Sequence, residues 1–137
     1  MKLALLGEWM IECLNKEQKL EGYIDKKQYL DKKKRLRGYL DGNRVKDKGN
    51  YTLLILRADG TITYGEELEE EVQGKLSENK ILNLNGVLIF EFLKEKRQIV
   101  NVVGKLVLLL NGPTREIEEL ENIDFFGVAT ILLELFA

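Results

Sequence analysis

Between residues 20 and 110, apolar and polar side chains alternate in short runs, each closed by Gly, Asn or Asp, which is the periodicity of strands and hairpins. The clearest unit is residues 38–49. It predicts a strand ending at Leu40, a turn at Asp41, Gly42 and Asn43, a short strand through Val45, and a second turn from Asp47 to Gly49. Residues 51–56 and 61–64 predict a hairpin around Arg57, Ala58, Asp59 and Gly60. Residues 81–84 and 87–93 flank Asn85-Gly86, a type I′ signal, so these runs are expected to pair. Residues 94–97 make the next turn, 99–103 the next strand, and Gly104 bends the chain into 106–110. The last strands are apolar on both faces, which predicts burial on both sides. Residues 3–14 fit both a helical and an alternating pattern; the hairpins that follow favour strands about a Gly7-Glu8 turn, with Trp9 as a core or interface anchor.

The pattern changes after Gly112-Pro113. Thr114 is positioned as a helix N-cap, Glu116, Glu118 and Glu119 suit a helix N-terminus, and Ile117, Leu120 and Ile123 keep one face apolar. Asp124 caps a further helical turn, after which Phe125, Phe126, Val128, Ile131, Leu132, Leu135 and Phe136 leave almost no polar face. A helix apolar all round must be buried. It plugs the open end of the β structure, packs on the same helix of another subunit, or lies on a membrane surface; the last fits least, because its one charge is Glu134.

The unit at 38–49 repeats. Sixteen residues upstream, Gly22, Tyr23, Asp25, Asp31 and Lys32 match it position for position. A third copy at 74–83 keeps Gly74, places Asn79 where Asn43 stands, Ile81 where Val45 stands and Asn83 where Asp47 stands. Weaker echoes lie at 58–62 and 104–106. No unit this short buries its own apolar face, so neighbours must complete it. Over residues 20–86 this pattern resembles a family of small bacterial β-flower proteins, built from degenerate repeats of Gly-(Tyr/aliphatic)-x-Asp-Gly-x-x-Val-x-Asp-x-x-Gly. That resemblance implies hairpins radiating about a centre, closed by an apolar C-terminal segment, and it brings no catalytic residues. Lys26-Lys27 replaces Asp-Gly in the first copy. The expected fold class is thus mainly β: one domain over 1–137, an antiparallel hairpin-repeat sheet or barrel over 15–112, and a C-terminal α-helix over 113–137.

Charge refines this picture. Residues 1–50 carry 13 basic and 8 acidic side chains and residues 51–137 carry 8 and 15, so the two parts are +5 and −7. Opposite halves favour self-association over a uniform field. Cys13 is the sole cysteine and the chain has no histidine, which removes Ser-His and Cys-His nucleophiles and disfavours zinc, copper and non-haem iron sites. Phosphate-binding glycine motifs are missing, and Ser77 is the only serine. No cofactor and no enzymatic activity are expected. Neither a signal peptide nor a transmembrane stretch is legible, which predicts a cytoplasmic protein.

Ten basic residues between positions 26 and 48, with Tyr23, Tyr29 and Tyr39 interleaved, make the case for single-stranded nucleic acid, with Lys33, Lys34, Arg35, Arg37 and Arg44 as candidate contacts. Interspersed aspartates, and tyrosines expected to point inward, favour a solvated face instead. The acidic run of Glu66, Glu67, Glu69, Glu70 and Glu71 reads as a solvated strand facing lysines. The leading expectation is a structural or interaction module that self-associates through Phe125, Phe126, Ile131, Leu132, Leu135 and Phe136, with a homo-oligomer or a protein as partner. Nucleic acid, and a small apolar ligand beneath the helix, are the alternatives.

Overall fold

A computed structural model of the chain describes residues 10–65 and 71–136. Expectations for Trp9 and the rest of residues 1–9, and for Glu66, Glu67, Glu69 and Glu70, lie outside the described residues. Twelve strands form: β1 (Ile11–Leu14), β2 (Leu20–Asp25), β3 (Gln28–Leu30), β4 (Leu36–Asp41), β5 (Arg44–Asp47), β6 (Thr52–Leu56), β7 (Thr61–Tyr64), β8 (Val72–Ser77), β9 (Lys80–Asn83), β10 (Leu88–Leu93), β11 (Gln98–Asn101) and β12 (Leu106–Asn111). Each pairs antiparallel with its sequence neighbours, and β1 pairs with β12, so the sheet closes into a barrel. Closure removes the unpaired edges that short hairpins would otherwise expose. At the seam Cys13 faces Leu110, and Asn111 donates a 2.8 Å hydrogen bond to Glu12.

The repeat seen in three copies occurs six times in space. Cys13, Tyr29, Val45, Ile62, Ile81 and Ile99, one from each odd-numbered strand, are fully buried. Opposite them on the even-numbered strands stand Gly22, Gly38, Leu54, Gly74, Phe90 and Leu108. Immediately beyond each of these pairs the even strand carries one extra residue, a β-bulge at Glu21, Arg37, Leu53, Gln73, Ile89 and Val107. A bulge sharpens local twist. Six at one level curl short strands into a closed ring.

Strand alternation corrects a sequence expectation. Tyr29 is interior, but Tyr23 and Tyr39 alternate with the buried Gly22, Ile24, Gly38 and Leu40, and therefore lie on the outer face, half-buried. The interior is apolar, and Glu12, Arg37 and Lys46 lie on the outer face.

One end of the barrel carries tight turns at Lys26, Gly42 and Glu78, each with positive φ. The other carries five-residue loops of one design. Asn15, Asp31, Asp47, Asn83 and Asn101 each accept, through Oδ1, the N–H groups of the residues two and four positions later, at 2.8–3.1 Å. The fourth loop residue is left-handed in every case, with φ of 63–76° at Gln18, Lys34, Asn50, Gly86 and Gly104. This explains why Asn replaces Asp at position 83: either side chain supplies the acceptor. It also replaces the type I′ turn expected at Asn85-Gly86, because only Gly86 there has positive φ.

The C-terminal segment forms two helices instead of one, α1 (Thr114–Glu118) and α2 (Asn122–Ile131). Thr114 is the first helical residue after Pro113 and not the cap; its hydroxyl accepts a 2.7 Å bond from Arg97. Asp124 likewise caps from inside the helix, forming a capping box with Glu121 at the N-cap. Every residue of α2 from Asp124 to Ile131 is buried. Ten residues at 1.5 Å each span about 15 Å, and a six-residue strand spans about 20 Å, so α2 fits within the barrel's height. It enters from the tight-turn end and passes along β3, β4, β5 and β6 on one side and β10 on the other. Phe125 stacks on Phe92 at 4.9 Å. The glycines that open the repeats allow close approach of the neighbouring strand and of the C-terminal segment: a Cβ on Gly22, Gly38 or Gly74 would overlap the carbonyl oxygen of Leu30, Lys46 or Leu82, and one on Gly38 would also overlap Ile131, while one on Gly22 would stand 3.2 Å from Leu132 and one on Gly74 2.7 Å from Phe136.

Candidate functional site

At the tight-turn end, the Lys27 ammonium lies 2.6 Å from the carboxylate of Asp124, which is 3% exposed. The same carboxylate accepts the Glu121 N–H at 2.8 Å, and the Tyr29 hydroxyl reaches the Asp124 carbonyl at 3.3 Å. This group ties the mouth of the barrel to the start of α2. Burial pushes the Tyr29 phenol far above its ordinary value, helped by the Asp124 charge. Burial alone does the same to the Cys13 thiol, which stays protonated and inert. The arrangement anchors α2 to the barrel. Replacing Lys27 by Met leaves a buried carboxylate without its counter-ion, and is expected to cost about 1–3 kcal/mol in denaturant unfolding.

The interior is filled. Phe125, Phe126, Val128 and Ile131 occupy it, each nearly or fully buried. Of the crevices that remain, the one beside the exit of α2, lined by Tyr51, Thr52, Tyr64, Leu135 and Phe136, holds about 230 Å³. That is below the range usual for small-molecule sites. A wider one of about 820 Å³ lies between the Asp25–Lys27 turn and α1, lined by charges of both signs, including Arg115, Glu116 and Glu119. Among the described residues no cluster of His, Cys, Asp and Glu is placed to hold a metal ion.

The loop end is where the surface differentiates. The five candidate nucleic-acid residues do not form one face. Lys33, Lys34 and Arg35 sit on the β3–β4 loop, Arg37 is the β4 bulge, and Arg44 begins β5 at the opposite end of the barrel. Arg35 is held by Asp31 at 2.8 Å, and Arg37 reaches Glu134 at 4.0 Å. Hydrogen bonds from the Arg35 and Lys33 backbones and the Arg35 guanidinium hold the Asp31 carboxyl below the ordinary range. Lys34 lies 5.3 Å over the Tyr23 ring. What remains exposed is Lys32 and Lys33, with Lys48 on the next loop; Lys32 and Lys48 line a crevice of about 610 Å³ together with Glu21, Asp31, Arg35, Arg37 and Asp47.

The six candidate interface residues are also divided. Phe125, Phe126, Ile131 and Leu135 are interior, 0–6% exposed, so the expectation that they meet a second subunit is corrected to the plug; Leu132 and Phe136 remain half-buried at the loop end. Sequence reasoning missed a different apolar group. All the large apolar side chains that are exposed among the described residues, Tyr51, Val72, Leu84, Val87, Val102 and Val103, stand at the loop end. The sequence pattern predicts strand at Leu84, Val87, Val102 and Val103, whereas the structure places all four in loops. Aligning Asn83 and Asn101 with Asp47 finds them, since Leu84 and Val102 then fall in the loop position of Lys48.

The loop rim is therefore basic on one side, at residues 31–35 and 47–51, and apolar on another, at 83–87 and 101–105. No protein-family model, curated protein or solved structure matches this chain.

Proposed function

We propose that this chain is a structural and interaction module: a barrel filled by its own C-terminal helix, which works through its loop end and associates with itself. The observation that carries this reading is the filled interior. With α2 occupying the space where a barrel would hold a ligand, contact chemistry is left to the surface, and the exposed apolar side chains collect at one end. The recurrence of one bulged hairpin six times about an axis supports kinship with the β-flower proteins. Phe125, Phe126, Ile131 and Leu135 are left out of the self-contact because the chain already buries them; Leu132 and Phe136 are the part of the C-terminal region available to it.

A second reading rests on Lys32, Lys33 and Lys48, exposed on adjacent loops, which suit the phosphates of a single-stranded nucleic acid. Light scattering on the purified protein, with the ultraviolet absorbance ratio that reports nucleic acid, separates the two. An oligomer free of nucleic acid is the expected result. A monomer that carries nucleic acid, released by salt and lost in K32E/K33E, would replace the first reading by the second.

A further inference from the structure

The crevice of about 610 Å³ lies between the β3–β4 and β5–β6 loops. These loops are neighbours because β4 pairs with β5, Gly38 facing Asp47. They share one backbone design, in which the residue after the Asx acceptor is Lys32 in one and Lys48 in the other, and both line the crevice. Arg37, on the outer face at the β4 bulge, lines it from the strand side.

Charge count alone does not make a binding site here, since Lys32, Arg35, Arg37 and Lys48 meet Glu21, Asp31 and Asp47. Their partners decide it. Asp31 accepts the Lys33 and Arg35 N–H groups through Oδ1 and the Arg35 guanidinium through Oδ2. Asp47 accepts the Gly49 and Tyr51 N–H groups, and Glu21 accepts the Asn15 amide at 2.8 Å. The carboxylates are thus engaged by their own or the next loop. The cations are not: among the described residues the Lys32 and Lys48 ammonium groups have no partner, and Arg37 comes within 4.0 Å of Glu134, beyond hydrogen bonding. Two ammonium groups and a guanidinium fork with unspent N–H groups suit a phosphate. Glu21 and Asp47 on the crevice walls, and Glu134 past Arg37, bound this basic ground, so it suits a single phosphate or a diphosphate better than a long polyanion. The remaining volume is of the size usual for small-molecule sites.

We infer that this crevice binds the phosphate end of a small molecule, a mono- or diphosphate held by Lys32, Arg37 and Lys48, a role that goes beyond self-association. The test is a titration of the full chain with sodium diphosphate at low ionic strength, followed by amide NMR shifts. K32Q/K48Q is compared with a charge-matched control at the tight-turn end, K80Q/K96Q. All four lysines are exposed, so both variants keep the wild-type thermal midpoint. Saturable shifts confined to residues 31–37 and 47–49 are expected, with binding weakened about tenfold or more in K32Q/K48Q and less than about twofold in K80Q/K96Q. No saturation, or an equal loss in the two variants, would overturn the site. An oligothymidylate that shifts these residues and is not displaced by diphosphate would overturn the small ligand and put single-stranded nucleic acid in its place. None of these outcomes bears on self-association, which light scattering tests by itself.

Discussion

A chain ending at Gly112 is expected to lose its cooperative unfolding transition and its near-ultraviolet dichroism, and to bind a hydrophobic dye. The reason is the position of α2. Phe125, Phe126, Val128 and Ile131 are at most 4% exposed, and each fully buried side chain of this kind is worth about 1.5–3 kcal/mol. Their sum rivals the whole stability of a domain this size, roughly 5–15 kcal/mol. Removing them also leaves the ring of Tyr29, Val45, Ile62, Ile81 and Ile99 facing a void. A full-length Phe125→Ala variant, which loses the stack on Phe92 and leaves a cavity, is expected to cost about 3–5 kcal/mol and serves as the graded control. Had the helix been a subunit contact, the truncated chain would remain a folded, soluble monomer. Circular dichroism and denaturant titration of the two variants decide between these outcomes.

Replacing Gly127 by Ala is expected to destabilise the protein by about 3 kcal/mol or more, a large effect for one methyl group. Gly127 lies in the middle of α2, where glycine would otherwise be a poor choice. Its place is set by Tyr29: a Cβ there would overlap the phenolic hydroxyl and stand 2.5 Å from Cζ. Tyr29 has little room to withdraw, since its ring is fully buried in the interior ring and its hydroxyl is turned to the Asp124 carbonyl. The equivalent position on β5 is Val45, so G127A/Y29V restores space with a residue the ring already uses. The two changes are in contact and are expected to be non-additive, the double variant being more stable than G127A alone. Additive losses in denaturant unfolding would show that the overlap is relieved elsewhere.

The barrel's hairpins were legible because turn chemistry is local. Asp41-Gly42-Asn43, Asp59-Gly60 and the Asx positions at 31, 47 and 83 declare themselves by residue type, and the strands fall between them within a residue or two. Three features were not legible, each for a non-local reason. Bulges at Glu21 and Arg37 decide how each strand meets its neighbour, and residue type does not mark them. Closure depends on β1 meeting β12 across nearly the whole chain. The apolarity of α2 states that it is buried but not by what; its own barrel and a second subunit satisfy the same pattern. The apolar loop tips were hidden by the same rule that found the strands, since Val102-Val103 continues the run from Ile99 until Asn101 is recognised as the loop acceptor.

Hydrogen exchange across residues 122–131 tests most directly whether the C-terminal helix is the barrel's own core. If α2 fills the interior, the amides from Phe125 to Ile131 exchange only with global unfolding, as slowly as those of β4 and β5, and at the same rate in dilute and concentrated protein. Exchange of these amides well ahead of the strands, or protection that appears only as concentration rises, would contradict it.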